Sequence, residues 1–484
     1  MKKLFSIVLI SVFNFILINQ SYAEVKLPAI VSSNMVLQRN TTITIWGWAN
    51  PNENITITPS WTKNDFNIKA NREGQWAIEV ETNNSKASHT INIVSPETDI
   101  TLENILFGEI WLCSGQSNMY QPLKGYTGQP TFGGHAAIVK ANNPNLRLFS
   151  VDKTASKVPL KDLKIDTSWQ QATPESVADF SAVAYFFGEE LQKILGVPVG
   201  MIHTSWGGSK VEAWMSNDVL STYQNISIED VDISKRTQRL PTVLFNAMIN
   251  PLVNYKIKGV LWYQGESNRD NPKNYEQLFP AMVKDWRTRW NIGDFPFYYV
   301  QIAPHIYKGN NAFQSKDNTA FIRESQLKCL DLIPNSGIAI TMDIGNEHFI
   351  HPPKKKEVAN RLLFNALHQT YGYKSIEYTT PIFSSQELKD NGLLLKFKNA
   401  KNGLFTHNTL EGFEIAGKDK IFYPADAKII NRKHVFVKSS HVQNPVAVRY
   451  AWKNWIKGTL FNTSLLPVSS FRTDNWDNAT QVKN

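Results

Sequence analysis

The chain reads as an α/β protein built on a mostly parallel sheet, with a small β-sandwich before it and a β-rich region after it. Three observations predict this. Between about residues 104 and 370, apolar strand-like runs alternate with amphipathic stretches of helical period, the pattern of strands linked by crossover helices. Before that, short alternating segments are separated by turn-forming residues, and after about residue 371 the β pattern returns. At 484 residues the chain is long enough for more than one domain, and the expected divisions are 1–23, 24–103, 104–370 and 371–484.

Met1 to Ala23 carries Lys2-Lys3, an apolar stretch from Leu4 to Ile18, and Ser21-Tyr22-Ala23. These are the charged, apolar and small-residue zones of a secretory signal, so cleavage near Ala23 is expected, with a mature protein beginning near Glu24. The expected location is secreted, or periplasmic if the host is a Gram-negative bacterium. No cysteine stands at the cleavage point to carry a lipid anchor, and no later apolar run approaches the ~20 residues of a membrane span.

Residues from about Val25 to Val94 predict the sandwich through Thr42–Trp48 and Trp76–Glu81, with turns at Asn50-Pro51-Asn52 and Arg72-Glu73-Gly74. Ile105–Leu112 follows as a buried strand. Helical patterns at Val183–Leu191 and Tyr275–Val283 then alternate with strands at Val199–Thr204, Phe297–Ile302 and Ile338–Met342. A further helix begins around Lys354. In the last region Leu393–Phe397, Lys428–Ile430, His434–Val437 and Ala447–Tyr450 are expected strands. No internal repeat or low-complexity segment interrupts this order.

Chemistry concentrates where strands end. The apolar run through Trp111-Leu112 stops at Cys113-Ser114-Gly115-Gln116-Ser117-Asn118-Met119, a small polar turn able to lift the Ser117 hydroxyl clear of its surroundings. Val260–Asn268 repeats the arrangement, and in a parallel sheet both strand ends meet on one rim. Gln264 is placed there as an amide donor to an oxyanion. His351, in His348-Phe349-Ile350-His351-Pro352-Pro353, stands at the mouth of the next helix. Nucleophile, oxyanion donor and general base are what acyl transfer requires.

These segments resemble the sialate O-acetylesterase family of the SGNH (GDSL-like) hydrolases. Gly115-Gln116-Ser117-Asn118 matches the nucleophile block, Trp262–Asn268 the third block, and Ile350-His351-Pro352-Pro353 the histidine block. Gly200–Trp214 is similar to the second block, and the resemblance runs from Leu27 to Trp452. It implies the three-layer SGNH fold, a serine esterase acting on O-acetylated sugars, no cofactor and no metal. It further implies Gly208 as an oxyanion N–H, while Gly207 stays an equal alternative, and a C-terminal region packed on the catalytic domain. Gln116, Asn118 and Asn268 are the candidate sugar contacts, with Arg323 either a further contact or a helix-surface residue.

One position departs from the family. An acidic residue commonly stands two before the histidine, where it orients the imidazole and stabilises its cation. This chain has Phe349. The expected substitutes are the Phe349 backbone carbonyl, Glu347 or Asp343, or Glu266 from the third block. Phe349 also motivates an alternative class, a secreted carbohydrate-binding protein without turnover. Among substrates, 9-O-acetyl sialic acid stands first, and acetylated xylan or another glycan second.

The formal charge of +9 falls to +7 without Lys2 and Lys3, and the basic residues are scattered. The longest run, Lys354-Lys355-Lys356, is expected as the solvated first turn of a helix, so no nucleic-acid partner is indicated. Two cysteines exclude a disulfide scaffold, and Cys113 is expected in the core. The 14 Trp suit sugar stacking as well as core packing, with most placed in the core. The Gln121–His135 loop directly after the nucleophile is either a lid or substrate wall or an ordinary surface loop. His348 and His351 have no clear third ligand for zinc. Nothing in the sequence sets an oligomeric state.

Overall fold

A parallel sheet wound outward from its centre organises the molecule. The structure, a computed structural model, describes residues 24–165, 167–228, 232–307 and 318–481. The expected signal segment lies outside the described residues. The strands run in the order Ser336–Ala339, Phe297–Val300, Gly259–Tyr263, Thr98–Gly115, Val199–Ser205, Asn143–Ser150 and Gln170–Ala172. All neighbours are parallel except the last pair. The chain enters at Thr98–Gly115, builds one flank, then returns past that strand to build the other. The direction of winding therefore reverses at Thr98–Gly115, and ligands collect at such a point.

Each central strand is apolar on both faces because helices cover both. Trp111, Cys113, Leu261, Tyr263, Tyr298 and Val300 pack with the helices Ala182–Leu195 and Lys355–Asn365. Their sequence neighbours Leu112, Val260, Trp262, Phe297 and Tyr299 turn the other way, toward Pro272–Trp290 and Ala320–Leu332. Period-two side chains with two covered faces give the unbroken apolar runs that mark these strands in the sequence. This is the three-layer arrangement expected of an SGNH hydrolase.

Caps set the helix ends more closely than the apolar pattern does. Ser181 accepts from the Ala184 N–H, and Gly196 closes that helix in the left-handed region. Asn271 and Asn291 do the same for Pro272–Trp290, which therefore outruns the expected Tyr275–Val283 at both ends.

The N-terminal region pairs Thr42–Trp48 with Gln75–Glu81, and sets Asn54–Pro59 between Phe66–Lys69 and His89–Ser95. His89–Ser95 then pairs with the first part of Thr98–Gly115. One 18-residue strand thus serves both the small sheet and the central one. The division expected near Asn104 falls inside it, at a residue with φ 56°. The C-terminal region forms an antiparallel sheet of Ile382–Lys389, Gly392–Lys398, His434–Lys438 and Asp426–Ile430, and a second sheet around Phe413–Ala416 and Ala447–Tyr450. It is tied to the central layers by Gln301 donating to the Ser469 hydroxyl (2.8 Å) and the Thr319 N–H donating to Asn454 Oδ1 (2.7 Å). Cys113 and Cys329 are buried free thiols. Among the described residues no helix is long and apolar enough to cross a membrane.

Candidate active site

Three strand ends stop level with one another. Gly115 pairs with Ser205 on one side and Tyr263 on the other. At Gly115, φ is 137° and a Cβ would lie 2.2 Å from the Tyr263 carbonyl oxygen, so the turn passes closer to its neighbour than any side chain permits. The Gln116 N–H donates to that same carbonyl at 2.9 Å. Ser117 opens the short helix Ser117–Tyr120 and is half-buried. Facing it, Gly207 lies so close that a Cβ there would be 3.3 Å from the Ser117 Cβ. Gly208 turns at φ 78°, and its N–H has no acceptor among the described residues.

His351 stands on the loop before Lys355–Asn365, and two contacts bind that loop to the serine turn. Asn118 donates to the Ile350 carbonyl at 3.1 Å. The Tyr126 hydroxyl donates to the Ser117 carbonyl at 2.9 Å, while the Tyr126 ring lies 5.0 Å from the imidazole. His351 Nδ1 is 2.8 Å from Gln129 Oε1. An amide oxygen only accepts, so Nδ1 carries the proton and Nε2 keeps its lone pair. Burial pulls His351 down to about 4, with Lys355 and His305 acting in the same direction, so the ring is neutral at neutral pH.

The Gln121–His135 loop is therefore a wall of the histidine site. Tyr126 and Gln129 exchange both backbone hydrogen bonds, 2.9 Å each, across Thr127-Gly128, which places both side chains beside His351. The Phe132 N–H anchors the loop to the Pro353 carbonyl at 2.9 Å.

Nδ1 has a partner that the sequence reading did not name, which corrects the expectation for the missing acid. Asp343 is held by both nitrogens of Arg361, at 2.8 and 2.7 Å. Glu347 pairs at 4.0 Å with His348 in an exposed position, and the Phe349 N–H turns to Asn346. Glu266 is not an orienting acid either. It is buried, and its Oε1 accepts from Asn118 at 2.5 Å.

Asn118 is the centre of a buried polar cluster. Its amide nitrogen reaches Glu266 and the Ile350 carbonyl, and its oxygen accepts from Lys355 Nζ at 2.5 Å. Lys355 is fully buried, which corrects its expected place in a solvated turn; of the three lysines only Lys356 is exposed. Burial pushes Lys355 down to about 7 against the pull of Glu266, and raises Glu266 against the pull of Asn118 and Lys355. Both shifts run toward the neutral forms, so desolvation outweighs the mutual attraction.

A family model for carbohydrate esterases, the sialic acid-specific acetylesterases, matches residues 107–363. The chain belongs to that family. Human sialate O-acetylesterase is 29% identical over 479 residues, covering 88% of this chain and 87% of that protein. The mouse sialate O-acetylesterase is 27% identical over 491 residues, covering 88% and 89%. The solved structure of a carbohydrate acetylesterase from Xanthomonas citri is 34% identical, covers 93% of this chain and 100% of its own, and superposes with a TM-score of 0.85. The protein is accordingly a carboxylic ester hydrolase for O-acetyl esters on sugars.

In this esterase several expected contacts brace the site instead of lining it. Gln264 spends both amide hydrogens internally, on the Ser209 carbonyl (3.0 Å) and Asn268 Oδ1 (2.8 Å), which removes it as an oxyanion donor. Asn268 is buried, donates to Glu212 and accepts from Val211 and Gln264, which ties the third block to the second. Gln116 is buried and its oxygen accepts from the Gly265 and Ser267 N–H groups, which ties the first block to the third. Asn118, equally buried, is committed to the cluster above. Arg323 is neither a sugar contact nor a surface residue. It is fully buried and donates to Thr319, Ser470 and the Lys453 carbonyl, clamping the C-terminal region to its helix.

Proposed function

We propose that Ser117 is the acyl nucleophile and His351 its general base, in a two-step transfer for which 9-O-acetyl sialic acid is the first-choice substrate. The observation that carries this reading is the pair of ties from the serine turn to the histidine loop, Asn118 to the Ile350 carbonyl and Tyr126 between the Ser117 carbonyl and the imidazole. His351 Nε2 takes the Ser117 proton as Oγ attacks the acetyl carbonyl. The oxyanion is held by the Ser117 and Gly208 N–H groups. The sugar hydroxyl leaves with the proton from His351, and a water deprotonated by the same nitrogen releases acetate and restores Ser117. Gln129 takes the orienting role of the family acid. A neutral amide fixes the tautomer but stabilises the imidazolium less than a carboxylate does, so turnover is slower than in a full triad.

The sialic acid preference is supported by the mammalian relatives, which are named sialate O-acetylesterases. The test is intact-mass detection of an acetylated enzyme, mapped to Ser117 by digestion after rapid quenching with an aryl acetate. Acetate release from 9-O-acetyl sialic acid beside acetylated xylan assigns the substrate. Export through Met1–Ala23 belongs to the same proposal, and an exported protein whose first residue is Glu24 would bear it out.

A further inference from the structure

Far from the serine, a second cleft has the chemistry of a glycan site. It lies between the N-terminal sheet and the Asn250–Asn254 segment of the catalytic layers, with a volume of about 390 Å³. Asn254 precedes the N-terminal end of Gly259–Tyr263, whereas Gly265 and the Ser117 turn lie beyond the C-terminal ends of the same sheet. The two clefts are thus at opposite ends of the central strands.

The register of the N-terminal ribbon builds one wall. Trp46 stands opposite Ala77 and Trp48 opposite Gln75. Opposed residues in an antiparallel pair share a face, as do residues two apart, so both indoles and the Gln75 amide project to one side. Trp48 is partly exposed, Trp46 is buried on the same face, and Trp76, opposite Gly47 and so on the other face of the ribbon, reaches the lining with a buried indole N–H that has no acceptor among the described residues. The tryptophans of the catalytic core interlock, with Trp262 edge-on to Trp214 and Trp286. Trp46 and Trp76 belong to the hydrophobic core, and Trp48 is the indole of the three that is partly open to the cleft. Asn250 and Asn254 supply amides from the opposite wall, and Lys161 is the one charged side chain in the lining among the described residues.

We propose that this cleft binds a neutral oligosaccharide chain and holds a polymeric substrate at a distance from the catalytic serine, an inference that rests on the carbohydrate reading of the active site. Indole faces stack on the apolar faces of pyranose rings, and side-chain amides both donate to and accept from hydroxyls. A carboxylate in the lining would disfavour an anionic sugar and an arginine would favour one; among the described residues the lining has neither, and a single exposed lysine is a weak anion site.

The test is calorimetric titration of xylohexaose into the full-length Ser117→Ala protein, which separates binding from turnover. Saturable binding is expected, weakened at least about tenfold by adding Trp48→Ala, as loss of one stacking indole implies, and largely retained with Trp48→Phe. Asn254→Ala, at an exposed position, is expected to weaken binding without changing the melting temperature. In an otherwise unaltered enzyme, Trp48→Ala should leave kcat/KM for a small aryl acetate unchanged. Equal binding with and without Trp48 would overturn the proposal, as would the absence of binding to a folded parent. Failure of the active-site reading has a different signature, aryl-acetate turnover that survives Ser117→Ala.

Discussion

His351 Nδ1 lies 2.8 Å from the side-chain oxygen of Gln129, a residue 222 positions away in the chain. This amide is the Nδ1 partner in a chain that has Phe349, and no acid, two positions before the histidine. Gln129→Leu should lower kcat by on the order of 10- to 10²-fold, a part of the 10²–10⁴-fold that general-base catalysis contributes in full. KM should change little. Gln129→Glu should raise kcat and move the acid limb of the pH profile upward, because a carboxylate beside the ring favours its cation. Steady-state kinetics of the two variants across pH checks both outcomes.

The acid limb of the parent enzyme follows from burial of His351. With the ring held down to about 4, His351 is neutral above that value, and under the proposed general-base role kcat/KM is expected to fall as pH drops through about 4 instead of through the ordinary imidazole range. Lys355 adds to the depression, so Lys355→Met should move the limb upward. Because burial is the larger cause, the move should stop short of the ordinary value. A pH–rate profile of parent and variant tests this.

Gly208 separates an oxyanion role from a merely conformational one. Its φ of 78° means that Gly208→Ala carries about 1–2 kcal/mol of backbone strain, read as a lower melting temperature. If its N–H also holds the oxyanion, kcat should fall by a further 10²–10³-fold, the cost of one such donor. Gly207→Ala instead crowds the Ser117 Cβ and should impair attack with little thermal cost.

Arg323→Ala should destabilise the protein by roughly 3–5 kcal/mol, since it empties a fully buried site and strands the groups that accept from the guanidinium. Protein that remains folded should keep the parent KM. Thermal denaturation alongside kinetics at low temperature distinguishes this from a sugar contact, whose loss would raise KM and spare stability.

The sequence patterns that carried through were those with a local cause. Leu112, Trp262 and Tyr299 sit in unbroken apolar runs because both faces of each strand are covered, and Gly115 announces the turn that carries Ser117. What stayed hidden depends on contacts across the fold. Gln129 is one polar residue in a glycine-rich loop, and the Tyr126–Gln129 backbone pairing that presents it to His351 shows only in the fold. Gln264, Asn268 and Asn118 stand at strand ends as site residues do, but sequence position does not tell a side chain that meets substrate from one that braces its neighbour. Lys355 was masked by its own charge run, of which the middle member points inward. At the division expected near Asn104, one strand, Thr98–Gly115, continues from the small sheet into the central one.

Acetate release from 9-O-acetyl sialic acid by the parent and by Ser117→Ala tests the central claim most directly. The parent should release acetate, and the variant should lose turnover by a factor on the order of 10⁴ or more while keeping its fold. Undiminished release by a folded Ser117→Ala protein would contradict the account.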